Sequence, residues 1–376
     1  MDFNLTEDQK LIRDMVREFA EKELAELAAE LDDKREFPKI ALKKMGELGL
    51  LGLAVPEKYS GGEMDISSVL IAAEELGKAC ASSAVIFAAH NLVVSRAIAQ
   101  FGTDAQRNKY LPQLAMGKII AGISLMEPDC EDEIVDMQLV AARDGDSFML
   151  NGTKRMLLGG ANVSLFLILA KDGGNAIHAF IIEKGAVGFN LGDDEDTLGL
   201  RATKCAIATF GNCRIPANAL LGDSSAQFDC FHEMREIGKL AISAIGIGIA
   251  QTALKLSVEH SWQRRQFDKF IGEFDGLRWM MAQMECDIAS ARNNLYCAAA
   301  LKHEGKPATK ECAIAKLTAS QLAVKATTDA IQIRGGYGYM REYPLERMFR
   351  DAKAIEFMLG TPQTQKKIIA EKVMGK

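Results

Sequence analysis

A chain of 376 residues with 48% hydrophobic content is long enough to bury one large core or two to three linked ones. Its 45 basic and 51 acidic residues leave a formal net charge of −6, which offers no basic footprint for a nucleic acid. No apolar run approaches the ~20 residues of a membrane span, and Met1-Asp2-Phe3-Asn4 opens without the basic and apolar regions of a secretory signal.

Eight cysteines stand at Cys80, Cys130, Cys205, Cys213, Cys230, Cys286, Cys297 and Cys312, and five histidines at His90, His178, His232, His260 and His303. No CxxC pair occurs and no cysteine–histidine spacing suits zinc, so no metal site is expected. Free thiols in a reducing cytoplasm are the expectation.

In chain order, residues 1–118 read as a helical domain. Thr6-Glu7-Asp8-Gln9 is a capping box, in which each side chain satisfies the other's orphan amide. Leu11, Ile12, Met15, Val16, Phe19 and Ala20 follow with helical period, and further helical patterns cover 40–48, 66–80 and 84–101. Val55-Pro56-Glu57-Lys58-Tyr59-Ser60-Gly61-Gly62 breaks the pattern as a loop. Residues 119–226 change character: short apolar runs flank Asp144-Gly145 and Asp172-Gly173-Gly174, two hairpin signals that predict a small antiparallel β-barrel or sandwich. Residues 227–376 are helical again, with long patterns at 237–262, 277–303 and 310–333. Gly246, Gly248 and many alanines in the first of these permit close helix approach. The predicted fold is therefore α+β: an N-terminal helical domain, a middle antiparallel β-barrel domain and a C-terminal four-helix bundle.

Several segments together resemble the acyl-CoA dehydrogenase family from end to end. Gln332-Ile333-Arg334-Gly335-Gly336-Tyr337-Gly338-Tyr339, Glu342-Tyr343-Pro344-Leu345-Glu346-Arg347 and Arg350-Asp351-Ala352-Lys353 are similar to its QIxGGxGYxxEYPxERxxRDAK signature. Gly102-Thr103 with Gln106 and Lys109-Tyr110-Leu111-Pro112 resembles GTxxQKxKYLP. Leu198-Gly199-Leu200-Arg201-Ala202-Thr203 and Cys213-Arg214-Ile215-Pro216 resemble LGxRAS and CRVP. The resemblance implies FAD lying between the β domain and the C-terminal bundle, with a neighbouring subunit completing the site. Arg264 and Phe267 match the ERxxFG motif, which implies an arginine on the FAD pyrophosphate and a phenylalanine beside the adenine. A guanidinium suits that task because its donors pair with phosphate oxygens in a fixed fork; the alternative for an isolated arginine is a solvated helix end. Gln332, Gly335 and Gly336 match the segment that approaches the diphosphate across the subunit boundary, although glycine also serves an ordinary helix C-cap. Thr361 and Gln363 match the threonine and a polar residue of the GTSxxQ element that, by the resemblance, touches the adenosine side of FAD, and Pro362 and Thr364 are departures within it.

Three departures fall at the chemical centre. The family removes the α-proton of an acyl thioester with a carboxylate while the β-hydride passes to the flavin. That chemistry needs a base and stabilisation of the enolate-like charge. The usual glutamate precedes the GT of the C-terminal element, and here that residue is Leu359. A minority of the family carries it instead on the helix before ERxxFG, at what is here Gly238. Loss of a positioned base costs ~10²–10⁴-fold. The second departure is Ser124-Leu125-Met126-Glu127-Pro128-Asp129-Cys130-Glu131-Asp132-Glu133 in place of ALTEPGAGSD, which puts side chains and negative charge into a loop expected near the flavin. The third is Asn151-Gly152-Thr153-Lys154-Arg155-Met156-Leu157-Leu158-Gly159-Gly160 in place of NGxKxWITNG. Met156 replaces the tryptophan stacked on the flavin and Leu158 the hydroxyl residue near its N5 and O4; a methionine can still pack on an aromatic ring. Leu125, Met126, Met156 and Leu158 are thus expected at the flavin ring.

Glu356, three residues before Leu359, is a candidate base if the helix continues to residue 359. Asp132, Glu133 and Glu236 are further acidic candidates. Glu236 aligns with an acidic position linked to CoA binding and Lys239 with its nearby arginine, while Asn91 stands where the family lines the acyl pocket. Three functions follow. One is an FAD-dependent acyl-CoA dehydrogenase with a relocated base, for an unusual acyl group or for net enoyl-CoA reduction. Another is a degenerate subunit that completes the FAD site of an active homologue, and the third is a thioester-binding protein without redox chemistry. The resemblance implies a tetramer, or a heteromer with a homologue, with an electron-transferring flavoprotein as acceptor.

Overall fold

The computed structural model describes residues 5–129, 136–174, 176–223 and 227–375. At the N-terminus Thr6 and Gln9 close the expected capping box, with both side-chain bonds at 3.2 Å. Helix α1 (Glu7–Phe19) then runs through a π-turn at Ala20–Leu24 into α2 (Ala25–Lys34). Ile12, Val16 and Phe19 share the buried stripe, whereas Leu11 falls off it and is 70% exposed. Next come α3 (Lys39–Glu47), α4 (Ile66–Ala79) and α5 (Ala81–Ala88), and a second π-turn at Ala89–Ser95 joins α5 to α6 (Arg96–Phe101). Thr103 and Gln106 form another capping box at the start of α7 (Asp104–Ala115). The Gln106 amide also donates to the carbonyls of Asn218 (2.9 Å) and Leu220 (2.6 Å), so the same glutamine anchors the far end of the β domain.

Seven strands form one curled sheet in the order β1-β4-β2-β3-β7-β6, with β5 paired to β4. They are β1 (Ala121–Ser124), β2 (Val140–Asp144), β3 (Ser147–Leu157), β4 (Leu165–Lys171), β5 (Ile177–Glu183), β6 (Phe189–Asp194) and β7 (Ala206–Pro216). Both predicted hairpins are present, β2 with β3 and β4 with β5. The sheet is mixed rather than wholly antiparallel, because β1 runs parallel to β4. The whole β2–β3 hairpin separates those two strands, so β1 need not turn back on its neighbour. Strand β4 reads as a continuous apolar run because both its faces are covered. Phe166 and Ile168 join the larger core with Phe180 and Phe210, while Leu165, Leu167 and Leu169 join a second core with Val94, Leu114 and Phe231. His90, fully buried between the two domains, donates from Nε2 to the Leu114 carbonyl (3.1 Å) and accepts from the Ala121 amide at Nδ1 (3.2 Å). Burial pushes its pKa down to about 4, so the ring is neutral at physiological pH.

The C-terminal bundle consists of α8 (Gln227–Ser261), α9 (Asp275–His303), α10 (Thr309–Arg334) and α11 (Leu345–Phe357), followed by α12 (Pro362–Val373). Helix α8 lies at its centre and also receives α4 from the N-terminal region. Two glycines set that approach: a Cβ on Gly77 would come within 3.0 Å of the Ile245 backbone, and one on Gly248 within 2.3 Å of the Glu74 carbonyl. The segments Ala81–Phe101 and Asp229–Ser261 are long and apolar enough by composition to cross a bilayer, contrary to the reading from sequence runs alone. They are apolar because protein surrounds them: 78% and 89% of their most apolar windows are buried.

One cluster ties the bundle to the rest. Arg350 on α11 forks onto Asp32 of α2 at 2.6 and 3.0 Å, pairs with Glu346, and donates to the Leu198 carbonyl (3.2 Å). Beside it the Leu200 amide donates to Asp351 at 2.6 Å. Burial raises the Asp351 carboxyl from its ordinary value to about 6, although the Leu200 bond and Arg347 oppose the shift. A carboxyl whose folded pKa is raised stabilises fully below the unfolded pKa and loses that contribution as pH rises through the folded value. Asp351→Asn keeps an acceptor for Leu200 and removes the titration. It should flatten the pH dependence of thermal stability between about pH 4 and 6, in the sense that the variant gains on the parent as pH rises. Melting curves of both proteins across that window check this, and superimposable profiles would contradict a neutral buried carboxyl.

Candidate functional site

Two regions of the C-terminal bundle and one of the sheet gather the residues singled out above. The first lies where α8 ends. Its chain enters a small hairpin of β8 (Arg265–Gln266) and β9 (Lys269–Phe270), whose loop residues Phe267 and Asp268 have φ of 52° and 62°. Positive φ at both positions is the primed-turn geometry that matches strand twist. It leaves the Phe267 ring 87% exposed. Between this hairpin, the last turn of α8 and the end of α10 lies a groove of about 640 Å³, lined in part by His260, Arg264, Gln332, Arg334, Gly335 and Gly336. Arg264 and the Gln332–Gly336 segment, far apart in sequence, thus share one site. Gly335 adopts φ 66° and ψ −144°, a conformation that glycine alone enters without strain. A Cβ on Gly335 or Gly336 would meet nothing of this chain within 4 Å, so the groove stays open in front of both.

The groove is cationic. No carboxylate is among its lining residues, and among the described residues neither Arg264 nor Arg334 has an acidic partner. The Arg334 guanidinium lies 4.1 Å from the centre of the Tyr343 ring, and its Nε is buried with no hydrogen-bond partner. Burial, then Arg334 and Arg264, hold His260 below its ordinary pKa. These features fit a diphosphate: unpaired guanidinium donors and backbone without intervening side chains.

The second region is the turn after α11. This helix ends at Phe357, Met358 is extended, and Leu359 takes φ 55° before Gly360 at 92°. Buried polar groups hold this turn. Lys316 of α10, fully buried, donates from Nζ to the carbonyls of Glu356 and Gly360, each at 2.7 Å. Gln365 of α12, also fully buried, donates to the carbonyls of Leu359 (2.9 Å) and Gly360 (3.1 Å). Thr361 caps α12 by accepting from the Thr364 amide at 3.3 Å, while Gln363 is exposed. The Leu359 side chain lies over α8, and its Cδ1 stands 2.7 Å from the place a Cβ on Gly238 would occupy. The two positions at which a base was sought therefore converge on one spot, and an isobutyl group fills it.

Glu356 does not share that spot by helical periodicity, because α11 stops before residue 359. Its carboxylate is instead paired with Lys353. Glu131, Asp132 and Glu133, with Cys130, lie outside the described residues, as do Met1, Asp2, Phe3 and Asn4.

The third region joins β1 to β3. The Arg155 amide donates to the Met126 carbonyl (2.9 Å) and the Leu158 amide to that of Ile123 (3.1 Å). Leu125 and Met126 therefore stand beside Met156 and Leu158. Met156 has φ 52° at an irregularity of β3, and its amide donates to Glu195 at 3.0 Å. Met126 is exposed and Met156 half-buried, whereas Leu158 belongs to the core. Beneath them Glu127 and Lys154 form a buried ion pair at 2.6 Å, and Glu127 also accepts from the amides of Gln138 and Leu139.

The three residues assigned to substrate are committed inside the chain. The buried Asn91 amide donates to the carbonyls of Leu50 (3.1 Å) and Phe87 (3.4 Å) and accepts from the Ala54 amide. It can offer a pocket only a wall. Glu236 accepts from Lys302 (2.8 Å) and Thr309 (2.5 Å). Burial pushes its carboxyl up, but Lys302, Thr309 and Lys239 outweigh it and hold the net pKa below the ordinary value. Lys239, on the same helix, is buried as well. Sequence reasoning missed Lys316 and Gln365. The available signal was a lysine inside an otherwise alanine-rich helix and the glutamine of GTSxxQ, which, counted from Gly360, falls on Gln365 and not on Gln363.

Models of the acyl-CoA dehydrogenase N-terminal, middle and C-terminal domains match residues 6–118, 123–213 and 229–374 respectively. A short-chain-specific acyl-CoA dehydrogenase of Clostridium acetobutylicum is 40% identical over 377 residues, spanning 99% of this chain and 100% of that protein. The structure of butyryl-CoA dehydrogenase from Megasphaera elsdenii matches with a TM-score of 0.95 and 35% identity, covering 100% of both chains. That of the FAD complex of PigA matches with a TM-score of 0.94 and 29% identity, covering 100% of this chain and 99% of the other.

The Glu127–Lys154 pair generates a stability prediction. Glu127→Ala strips the carboxylate from a fully buried ammonium and should cost about 3–5 kcal/mol. Combining it with Lys154→Met should restore part of that loss. Urea denaturation of the three variants measures both effects, and a loss below about 1 kcal/mol for Glu127→Ala would contradict a buried pair.

Proposed function

This chain belongs to the acyl-CoA dehydrogenase family, and from that premise we propose an FAD-dependent oxidoreductase acting at the α,β carbon–carbon bond of a short acyl-CoA thioester, with the α-proton handled by a group other than residues 238 and 359. The observation that carries the FAD assignment is the cationic groove in which Arg264, Gln332, Gly335 and Gly336 meet. FAD, when bound, supplies the hydride acceptor. Arg264 would fork onto the diphosphate, and the open backbone at Gly335 and Gly336 admits it closely. Phe267 would pack beside the adenine, with Thr361 and Gln363 on the adenosine side. Since Phe267 leans on so little of its own chain, a second copy is the natural source of the surface it covers. An oligomer and an electron-transferring flavoprotein as acceptor belong to this reading.

At the reacting end, Leu125, Met126, Met156 and Leu158 would border the flavin. Met126 and Met156 retain apolar contact with a ring but supply no side-chain hydrogen bond. The Leu359–Gly238 contact makes the proton-abstracting wall apolar. Relocation of the base remains part of the proposal. Glu356 could serve only by leaving Lys353, since α11 ends before it can face the wall.

One observation favours a second reading. The nucleotide groove is complete while the chamber wall has no acid or base at either family position, as befits a subunit that completes the site of an active homologue. A protein that retains flavin only when produced with that homologue would support it.

Leu359→Glu places a carboxylate at the wall, in a turn already held by Lys316 and Gln365. It should leave the rate of anaerobic flavin bleaching by butyryl-CoA within about tenfold of the parent's, because the relocated base already takes the α-proton; a rise of about 10²–10⁴-fold would mean that the parent has no base and would overturn the relocation. Rapid-mixing absorbance at the flavin band measures this. If the parent already bleaches as fast as the variant, a base is in place elsewhere. In that case Glu356→Gln should abolish bleaching, and an unchanged rate would remove Glu356 from the mechanism.

A further inference from the structure

We propose that Arg334 is a second guanidinium clamp for the diphosphate of the bound dinucleotide, working opposite Arg264; this rests on the FAD reading above. Arg334 stands at a variable position of the Gln332–Gly336 signature, so the family motif assigns it no role. Its placement is nevertheless that of a ligand-facing group. It lines the same groove as Arg264 and closes α10 at its last residue.

Three physical features support the role. The guanidinium carbon lies 4.1 Å from the Tyr343 ring centre, a cation–π contact that holds the side chain in place at the end of α10. Its Nε is buried without a partner, so among the donors of this groove-lining side chain it is the terminal amino groups that an anion in the groove can reach. The groove also sits at the C-terminal end of α10, where the helix dipole presents negative charge. A diphosphate there meets unfavourable carbonyl ends unless a cation intervenes, and Arg334 is the basic residue of that last turn.

Two guanidiniums in one groove with no carboxylate among its described lining residues repel each other, so an anion between them is the arrangement that satisfies both. His260, held below its ordinary pKa by burial and by both arginines, adds a neutral ring rather than a third charge. The arrangement also answers the weakened contacts at the flavin ring. Where Met156 and Leu158 offer no hydrogen bond from their side chains, added phosphate affinity keeps the cofactor attached.

The test uses full-length protein in its native oligomer, stripped of cofactor and titrated with FAD, ADP and riboflavin. For Arg334→Leu, FAD and ADP should bind roughly tenfold more weakly, in line with the loss of one charge-assisted hydrogen-bonded contact. Their salt dependence should flatten, and riboflavin, which lacks the diphosphate, should be unaffected. Arg334→Lys keeps the charge without the fork and should fall between. This variant decides the matter if Arg334→Leu fails to fold, as a melting curve will show. Wild-type affinity for FAD and ADP in the folded variants would overturn the proposal and leave Arg334 as a helix cap stacked on Tyr343. If the unmutated protein itself binds neither FAD nor ADP, the FAD reading fails and this inference falls with it.

Discussion

A buried ammonium organises the turn that the proposed function places at the reacting end of this molecule. Lys316 sits inside α10 and holds the carbonyls of Glu356 and Gly360, which bracket the one turn that carries residue 359. Placing an ammonium in a protein interior is expensive unless it is well bonded, so this turn has little freedom to rearrange. It keeps Leu359 in a left-handed conformation that a leucine would not choose by itself. The same helix ends at Gln332, Ile333 and Arg334, sixteen residues beyond Lys316 for the first of them, or roughly 24 Å along the axis at the helical rise. One rigid rod therefore fixes both the chamber wall and the nucleotide groove, and any change in its seating is felt at both.

That rod makes the uneven state of the two ends informative. The groove keeps an open, glycine-lined floor and unpaired guanidiniums. The wall keeps its backbone scaffold, including Gln365 on the carbonyls of Leu359 and Gly360, but has no carboxylate at either family position. Leu359 over Gly238 is also a matched pair: the isobutyl group fills the space that a side chain at 238 would need. Scaffold retained around an altered functional group is what the proposed relocation of the base would leave behind.

Much of this was legible in the chain itself, for identifiable reasons. The capping boxes at Thr6 and Thr103 are local, and local hydrogen bonding decides helix starts. The hairpins at Asp144-Gly145 and Asp172-Gly173-Gly174 are likewise set by neighbouring residues. The parallel pairing of β1 with β4 was not legible, because it joins strands separated by a hairpin and depends on the packing of both sheet faces. Glu356 failed as a neighbour of Leu359 for a related reason. Its proximity assumed one more turn of helix, and nothing local in Phe357-Met358-Leu359 announced that the helix stops, since Gly360 alone is a modest signal. The contact between Gly238 and Leu359 spans two domain elements and shows only in three dimensions. Arg334 was hidden differently: it occupies a position that the motif leaves open, so only the groove it shares with Arg264 exposes it.

The most direct test of the central claim is a crystal structure of the FAD-loaded oligomer. The account predicts the diphosphate of one subunit's cofactor in a neighbouring subunit's groove, where Arg264 and the Gly335–Gly336 backbone of that neighbour both hold it, with Leu359 still seated over Gly238. FAD bound elsewhere, or a groove facing bulk solvent away from every subunit boundary, would contradict it.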